Sequence, residues 1–378
     1  MRRVILNRLS ALLIGTLISA MGISLSAEAA TGSHTAYGVE HHHHGKKPQS
    51  IKSHIPPKDD ALLKKLANDT GGITYDELRT AYLQAEKKQS IIDAMNRPGE
   101  AKPWYQYRKI FIVPKRINEG REFLKNNRNI FKKAENTFHV EPEIVAAIIG
   151  VETYYGANMG NYRVLDALYT LGFHYPKRAD YFSREFANYV KLAKQQGWKH
   201  SDIKGSYAGA MGMGQFMPWS YMKWAVDFNA DGHKNLFRDR YDAIGSVANY
   251  FHEHEWKYGE PVTSKVKVTS PAKIETLLAG DTKPNTTVGE LRKKGVIISE
   301  RYGNAVKCRL FKFQTENGWD YYIGFHNFYV ITRYNKSPLY AMAVYDLSRE
   351  IIKPAAAPHK KQVNKPDSRK KPKVHPKH

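Results

Sequence analysis

Glu143-Ile144-Val145-Ala146-Ala147-Ile148-Ile149-Gly150-Val151-Glu152-Thr153-Tyr154-Tyr155-Gly156 is the stretch that decides the fold. From Ile144 to Val151 every residue is apolar or glycine. Pro142 stands just ahead, near a helix N-terminus, where its missing N–H costs nothing. The expectation is a short, very apolar helix, punctuated on exit by Gly156 and Gly160. A carboxylate at its end is out of place, because buried glutamates are rare unless paired or functional. Apolar surroundings disfavour the charged form and raise the pKa, which suits a general acid near neutral pH. A Glu that ion-pairs with or caps a neighbouring segment would read the same way, and these residues alone leave both open.

Outward from this helix, residues 59 to about 258 read as helical. Ala61 to Leu66 starts one segment, and Ile117 to Phe138 is a long amphipathic one with apolar residues three and four apart. Phe182 to Gln196 and Asp242 to His254 follow. After about residue 260 the pattern changes. Val262 to Val268 and Lys307 to Phe313 alternate in period two, and Tyr321 to Arg333 is aromatic and β-branched, as strands are. The predicted fold class is mainly α, a helical core over 58–260 with a small antiparallel β part over 261–348 (α+β).

The ends differ again. Met1-Arg2-Arg3 and Arg8 precede an apolar run from Ala11 to Leu25 and the small-residue site Ala27-Glu28-Ala29-Ala30. That is the layout of a signal peptide over 1–30. Residues 31–57, with His41 to His44 and Pro56-Pro57, read as a polar linker whose His tract could hold a metal weakly. Residues 349–378, rich in Pro and Lys, read as a basic disordered tail. The net charge of +23 favours an anionic polymer partner. Export directs that charge to the cell envelope and away from nucleic acid, for which no motif is present either. The single cysteine, Cys308, lies far from the cleavage site. It excludes an internal disulfide, a zinc cluster and a lipid anchor there.

A second stretch is Gly205-Ser206-Tyr207-Ala208-Gly209-Ala210-Met211-Gly212-Met213-Gly214-Gln215-Phe216-Met217-Pro218. Glycines this dense let backbone approach something closely. Ser206 and Gln215 offer hydrogen bonds to a polar ligand, and no phosphate-loop pattern is present. A tight helix crossing built from small residues is the other reading of this segment.

The two stretches together resemble the lytic murein transglycosylase B family of lysozyme-like fold. The resemblance extends through Trp104 to Arg108, Asn161 to Leu168, Tyr175 to Ala179, Asp242 to Phe251, and Tyr334-Asn335 before an expected last strand, Tyr340 to Val344. It spans residues 58 to 348. It implies that Glu152 is the single catalytic acid/base and that Ser206 and Gln215 bind saccharide. It implies too that Tyr250, Tyr334 and Asn335 line the cleft. The implied partner is the peptidoglycan glycan strand, and the implied place is the periplasm of a Gram-negative bacterium, as a soluble monomer. The basic tail would add charge contact with anionic envelope polymers. In the implied reaction Glu152 protonates the oxygen leaving C1 of N-acetylmuramic acid. It then takes a proton from that sugar's C6 hydroxyl, which attacks C1 and leaves a 1,6-anhydro end. A lysozyme-type muramidase using water, and an inactive peptidoglycan-binding protein, are the competing functions.

A third stretch, Asp227-Phe228-Asn229-Ala230-Asp231-Gly232-His233, opens like an EF-hand calcium loop. Position 12 is Arg238 where the standard loop has Glu. The family is similar in closing a longer loop with an Asp, here Asp242, although this chain's Phe237 to Tyr241 is one residue longer. The implied ligands are Asp227, Asn229, Asp231, His233 through its carbonyl, and Asp242. The ion, one calcium, would be structural, with no catalytic cofactor. An Asx-rich turn needing no ion is the alternative.

Overall fold

A computed structural model describes residues 54–97 and 102–354. The expected signal peptide, the His tract and nearly all of the basic tail lie outside the described residues. Each helix starts where local chemistry allows. α1 (Pro57–Thr70) begins with proline in its first turn and Asp59 and Asp60 behind it, where carboxylates suit the helix dipole. α2 (Tyr75–Gln84) starts at a capping box between Thr74 and Glu77. α3 (Gln89–Met95) and α4 (Trp104–Phe111) follow. The predicted segment 117–138 is two helices, α5 (Pro114–Asn126) and α6 (Arg128–Phe138). They part at Asn127, whose side-chain amide donates to the Phe123 carbonyl at 2.7 Å.

α7 (Pro142–Thr153) is the predicted apolar helix, with Ile144 to Gly150 buried throughout. It packs against α5 and α6 and against two elements from far along the chain. β1 (Tyr162–Arg163) then pairs with β2 (Lys204–Gly205), across α8 (Val164–His174) and α9 (Ala179–Gln196). α10 (Pro218–Trp224) and α11 (Arg240–Glu253) complete the first helical run; α11 is one of α7's distant partners.

The β part holds β3 (Thr263–Val268), α12 (Glu275–Leu278), β4 (Thr286–Thr287), α13 (Val288–Lys293), β5 (Val296–Ile297), β6 (Lys307–Thr315) and β7 (Gly318–Gly324). Its sheet runs β4-β6-β7-β3-β5, antiparallel throughout. Alternation puts the two faces of β6 into different cores. Cys308 and Leu310 join Val266, Leu291 and Ile323 in a small β core. Phe311 and Phe313 join the helical core, where Phe313 lies 5.5 Å from Trp104.

Two expectations need correction. Tyr321 to Arg333 is not one strand: β7 stops at Gly324, and α14 (His326–Tyr334) follows. Tyr340 to Val344 is not a strand either but lies in α15 (Pro338–Ile352). Both segments are rich in aromatic or β-branched residues, and tertiary burial overrides that preference. α15 is buried along Tyr340 to Val344 and again at Leu347, Ser348 and Ile351. A helix buried on several sides shows no amphipathic period. Its start was legible, since Ser337 accepts from Tyr340 N and Pro338 takes the first turn. α15 packs on α7, α5 and α4, so residues after the sheet return to the helical core. It runs to Ile352, four residues into the stretch read as tail.

Candidate active site at the end of α7

α7 ends with an abrupt change of direction. Tyr154 and Tyr155 both take left-handed backbone, with φ of 54° and 59°, a conformation that costs non-glycine residues energy and persists only where the surroundings impose it. The Tyr155 ring folds back over Gly150, where a Cβ would meet it at 2.6 Å. Its hydroxyl donates to the Arg116 carbonyl at 3.0 Å. Thr153 ties this exit to the glycine-dense loop. Its hydroxyl donates to the Met213 carbonyl at 2.8 Å and accepts from Gly156 N at 3.0 Å.

Glu152 is therefore fixed between a rigid helix and a pinned loop. It is half-buried, and its Oε1 accepts from the Tyr340 hydroxyl at 2.6 Å. Loss of hydration pushes its carboxyl up to about 8, against a smaller downward pull from Tyr340. Neither a cation nor a second carboxylate contributes to that shift. Tyr340 is buried, and burial together with the Glu152 charge drives its phenol well above the usual range. Tyr334 is driven the same way for the same reasons.

The predicted site residues fall around this pair. The Tyr334 hydroxyl donates to the Gly214 carbonyl, which joins α14 to the glycine-dense loop. Tyr250 lies edge-on to Tyr334 at 4.7 Å and donates to the Arg333 carbonyl at 2.7 Å. Asn335 is nine-tenths buried, and its Oδ1 has no hydrogen-bond partner. An orphaned buried acceptor calls for an explanation. Ser206 is buried, and its hydroxyl oxygen accepts from Ala208 N and Ala210 N, so it shapes its own loop. Gln215, at φ 53°, donates to the Met159 and Gly212 carbonyls and so bridges the loop to the exit of α7. Beyond that bridge lies a cavity of about 540 Å³ bounded by Met159, Gly160, Trp198 and Lys204, which does not include Glu152. Glu152 is the candidate for the chemistry; Glu185 on α9, another carboxyl that burial pushes up, to about 7, already accepts from the Trp219 N–H. Sequence reasoning missed Tyr340 because it took that segment for a strand.

The acidic loop is a separate structure. Asp227 accepts from Asp231 N and Gly232 N, and Asn229 accepts from Asp231 N. Asp242 is fully buried, and its two oxygens accept from Phe228 N and Asn235 N at 2.8 and 2.7 Å, closing the loop onto α11. Asp239, not anticipated, accepts from Asn229 and caps α11. His233 N donates to Asp231 at 2.9 Å. Among the described residues no three His, Cys, Asp or Glu side chains are gathered as for a metal.

A family profile described as Transglycosylase SLT domain matches residues 59–349. The chain is 38% identical over 305 residues to Membrane-bound lytic murein transglycosylase B of Escherichia coli (strain K12), covering 78% of this chain and 82% of that protein. It is similar to the crystal structure of soluble lytic transglycosylase SltB1 from Pseudomonas aeruginosa, with a TM-score of 0.72 and 43% identity over 78% of this chain and 98% of that one. It is also similar to the Escherichia coli lytic transglycosylase Slt35 in complex with calcium, with a TM-score of 0.70 and 38% identity over 78% and 92% of the two chains.

Proposed function

Because the chain belongs to the lytic murein transglycosylase B family and is an enzyme of that class, we propose that it cuts peptidoglycan glycan strands with Glu152 as the single acid and base. The observation that carries the proposal is the Glu152 carboxyl itself, pushed up to about 8 by burial and held by one neutral donor. Near neutral pH it keeps its proton and can hand it to the glycosidic oxygen leaving C1 of N-acetylmuramic acid. The carboxylate so formed accepts the proton of that sugar's C6 hydroxyl as the hydroxyl oxygen bonds to C1. The product is a 1,6-anhydro ring, and no water is consumed. Two-carboxylate glycosidases need a second acidic group across the bond. The family to which the chain belongs is what favours the one-acid route.

Tyr340 orients the carboxyl. The orphaned Oδ1 of Asn335 is ready for a sugar hydroxyl or amide donor. Tyr334, half-buried, and Tyr250, with the His254 ring stacked on it at 4.0 Å, form the aromatic wall behind the carboxyl. Ser206 and Gln215 act by holding the loop that forms one wall of the saccharide site.

The acidic loop would hold one calcium ion through Asp227, Asn229, Asp231, the His233 carbonyl and Asp242. An ionised carboxylate has about four acceptor positions, so the bonds to backbone N–H leave lone pairs for a cation. The ion would stiffen the link between α10 and α11 and take no part in the reaction. Residues 1–30 support export to the envelope. No described helix is long and apolar enough to cross a membrane.

Mass spectrometry of digested peptidoglycan tests the reaction. The expected ends are one water lighter than reducing ends, and Glu152→Gln should abolish them while the protein stays folded. Purely reducing ends would assign the chain to hydrolysis. Undiminished lysis by the Glu152 variant would take that residue out of the mechanism.

A further inference from the structure

The rings around Glu152 do not stop at Tyr250. On its far side Tyr250 meets Trp224 edge-on at 4.8 Å, and Trp224 meets Trp219 edge-on at 5.0 Å. From Tyr334 to Trp219 the row thus advances in three ring-to-ring steps of 4.7 to 5.0 Å. It is closed at the inner end and open at the outer one. Tyr250 and Trp224 are nearly covered, whereas Trp219 is 44% exposed.

Trp219 is also held in position. It follows Pro218 at the start of α10, directly after the glycine-dense loop. Its backbone N–H donates at 3.0 Å to the carboxyl of Glu185, a buried residue of α9. Lys223 places its ammonium 4.9 Å from the Trp219 ring centre and 5.3 Å from that of Trp224. An indole anchored in this way gives up little freedom on binding, which makes it an inexpensive contact surface. Trp is also enriched where binding energy concentrates. The core does not require an exposed indole at this place.

We propose that Trp219 is a stacking platform for a saccharide ring of the same glycan strand, further from the scissile bond than the sugar at Glu152. The inference rests on the peptidoglycan reading of the Glu152 site. A polymer substrate continues past the bond being cut, so it passes over whatever surface continues the cleft. The covered rings of Tyr250 and Trp224 lead outward to the one exposed indole of the row, Trp219, and the apolar C–H face of a pyranose fits a flat ring. Trp219 would then set how strongly the enzyme prefers long strands over short ones, without touching the reacting atoms.

The test is steady-state kinetics on glycan oligomers of increasing length, for wild type, Trp219→Leu and Trp219→Phe. Leu keeps an apolar contact with Trp224 but has no flat face; Phe keeps a face. On long strands Trp219→Leu should raise KM roughly three- to tenfold with kcat unchanged. Its kinetics on the shortest oligomer that wild type cuts should match wild type, and Trp219→Phe should recover most of the loss. A KM that rises equally at every length, or a fall in kcat alone, would overturn the proposal, and so would no change on long strands. Should wild type cut no glycan at all, the failure belongs to the activity assigned to Glu152 and not to the platform. Melting temperatures of the three proteins check that the side chain, and not the fold, is being measured.

Discussion

Replacing Glu152 by Gln should stabilise the protein, and by an amount that grows with pH. Burial holds the folded-state carboxyl at about 8 against an ordinary 4.5. Between those values the folded chain keeps a proton that the unfolded chain has released, so stability falls as pH rises. Each pH unit costs about 1.4 kcal/mol. Roughly 3 kcal/mol is therefore lost between pH 4.5 and 7, and about 5 kcal/mol once the pH passes 8, where the loss levels off. Gln has nearly the same shape, its amide oxygen can accept from the Tyr340 hydroxyl, and it does not ionise. The variant should match wild type near pH 4, exceed it by about 1 kcal/mol at pH 5 and by about 3 kcal/mol near pH 7. Urea unfolding of both proteins at fixed temperature, stepped from pH 5 to 8, measures the difference directly. Two stability curves that stay parallel across that range would refute the reasoning, since they would mean that Glu152 titrates alike in both states. A variant that is less stable at every pH would mean that the carboxylate makes a contact the geometry does not contain.

Tyr340→Phe removes the one bond that pulls the Glu152 pKa down. The alkaline limb of the pH–rate profile should then move up by as much as about one unit, with a lower kcat; a downward shift tells against the assignment. Gly150→Ala would drive a methyl to 2.6 Å from the Tyr155 ring. It should cost about 1–3 kcal/mol in thermal or urea unfolding and lower kcat more than it changes KM, because it disturbs the exit of α7 and not the sugar-binding rings. Calcium at about a hundred times its dissociation constant should add nearly 3 kcal/mol to wild type and nothing to an Asp227→Asn, Asp231→Asn double variant. Their kcat values should be equal, and an unmoved wild-type melting temperature removes the ion from the account.

The parts of this molecule that were legible in sequence are those whose signal is local. α7 announces itself because an unbroken apolar run after Pro142 has no other use. β6 does so because alternate residues face different cores, with Cys308 and Leu310 on one side and Phe311 and Phe313 on the other, and β3 because buried Val266 sits between exposed Lys265 and Lys267. The glycine-dense loop was legible as a place of close approach, but not who approaches. Thr153 of α7 and Tyr334 of α14 reach it, its own Gln215 reaches the Met159 carbonyl, and no spacing encodes that. The same limit explains the error at Tyr340. Its segment carries residues that suit strand or helix, and packing on α7, α5 and α4 decides between them. The donor to the key carboxyl lies 188 residues from it in sequence. A functional carboxylate can thus be found from its own neighbours, because burial alone raises its pKa. The group that aims it is chosen by the fold, and in this chain the fold delivers it on a helix that turns back only after the sheet is complete.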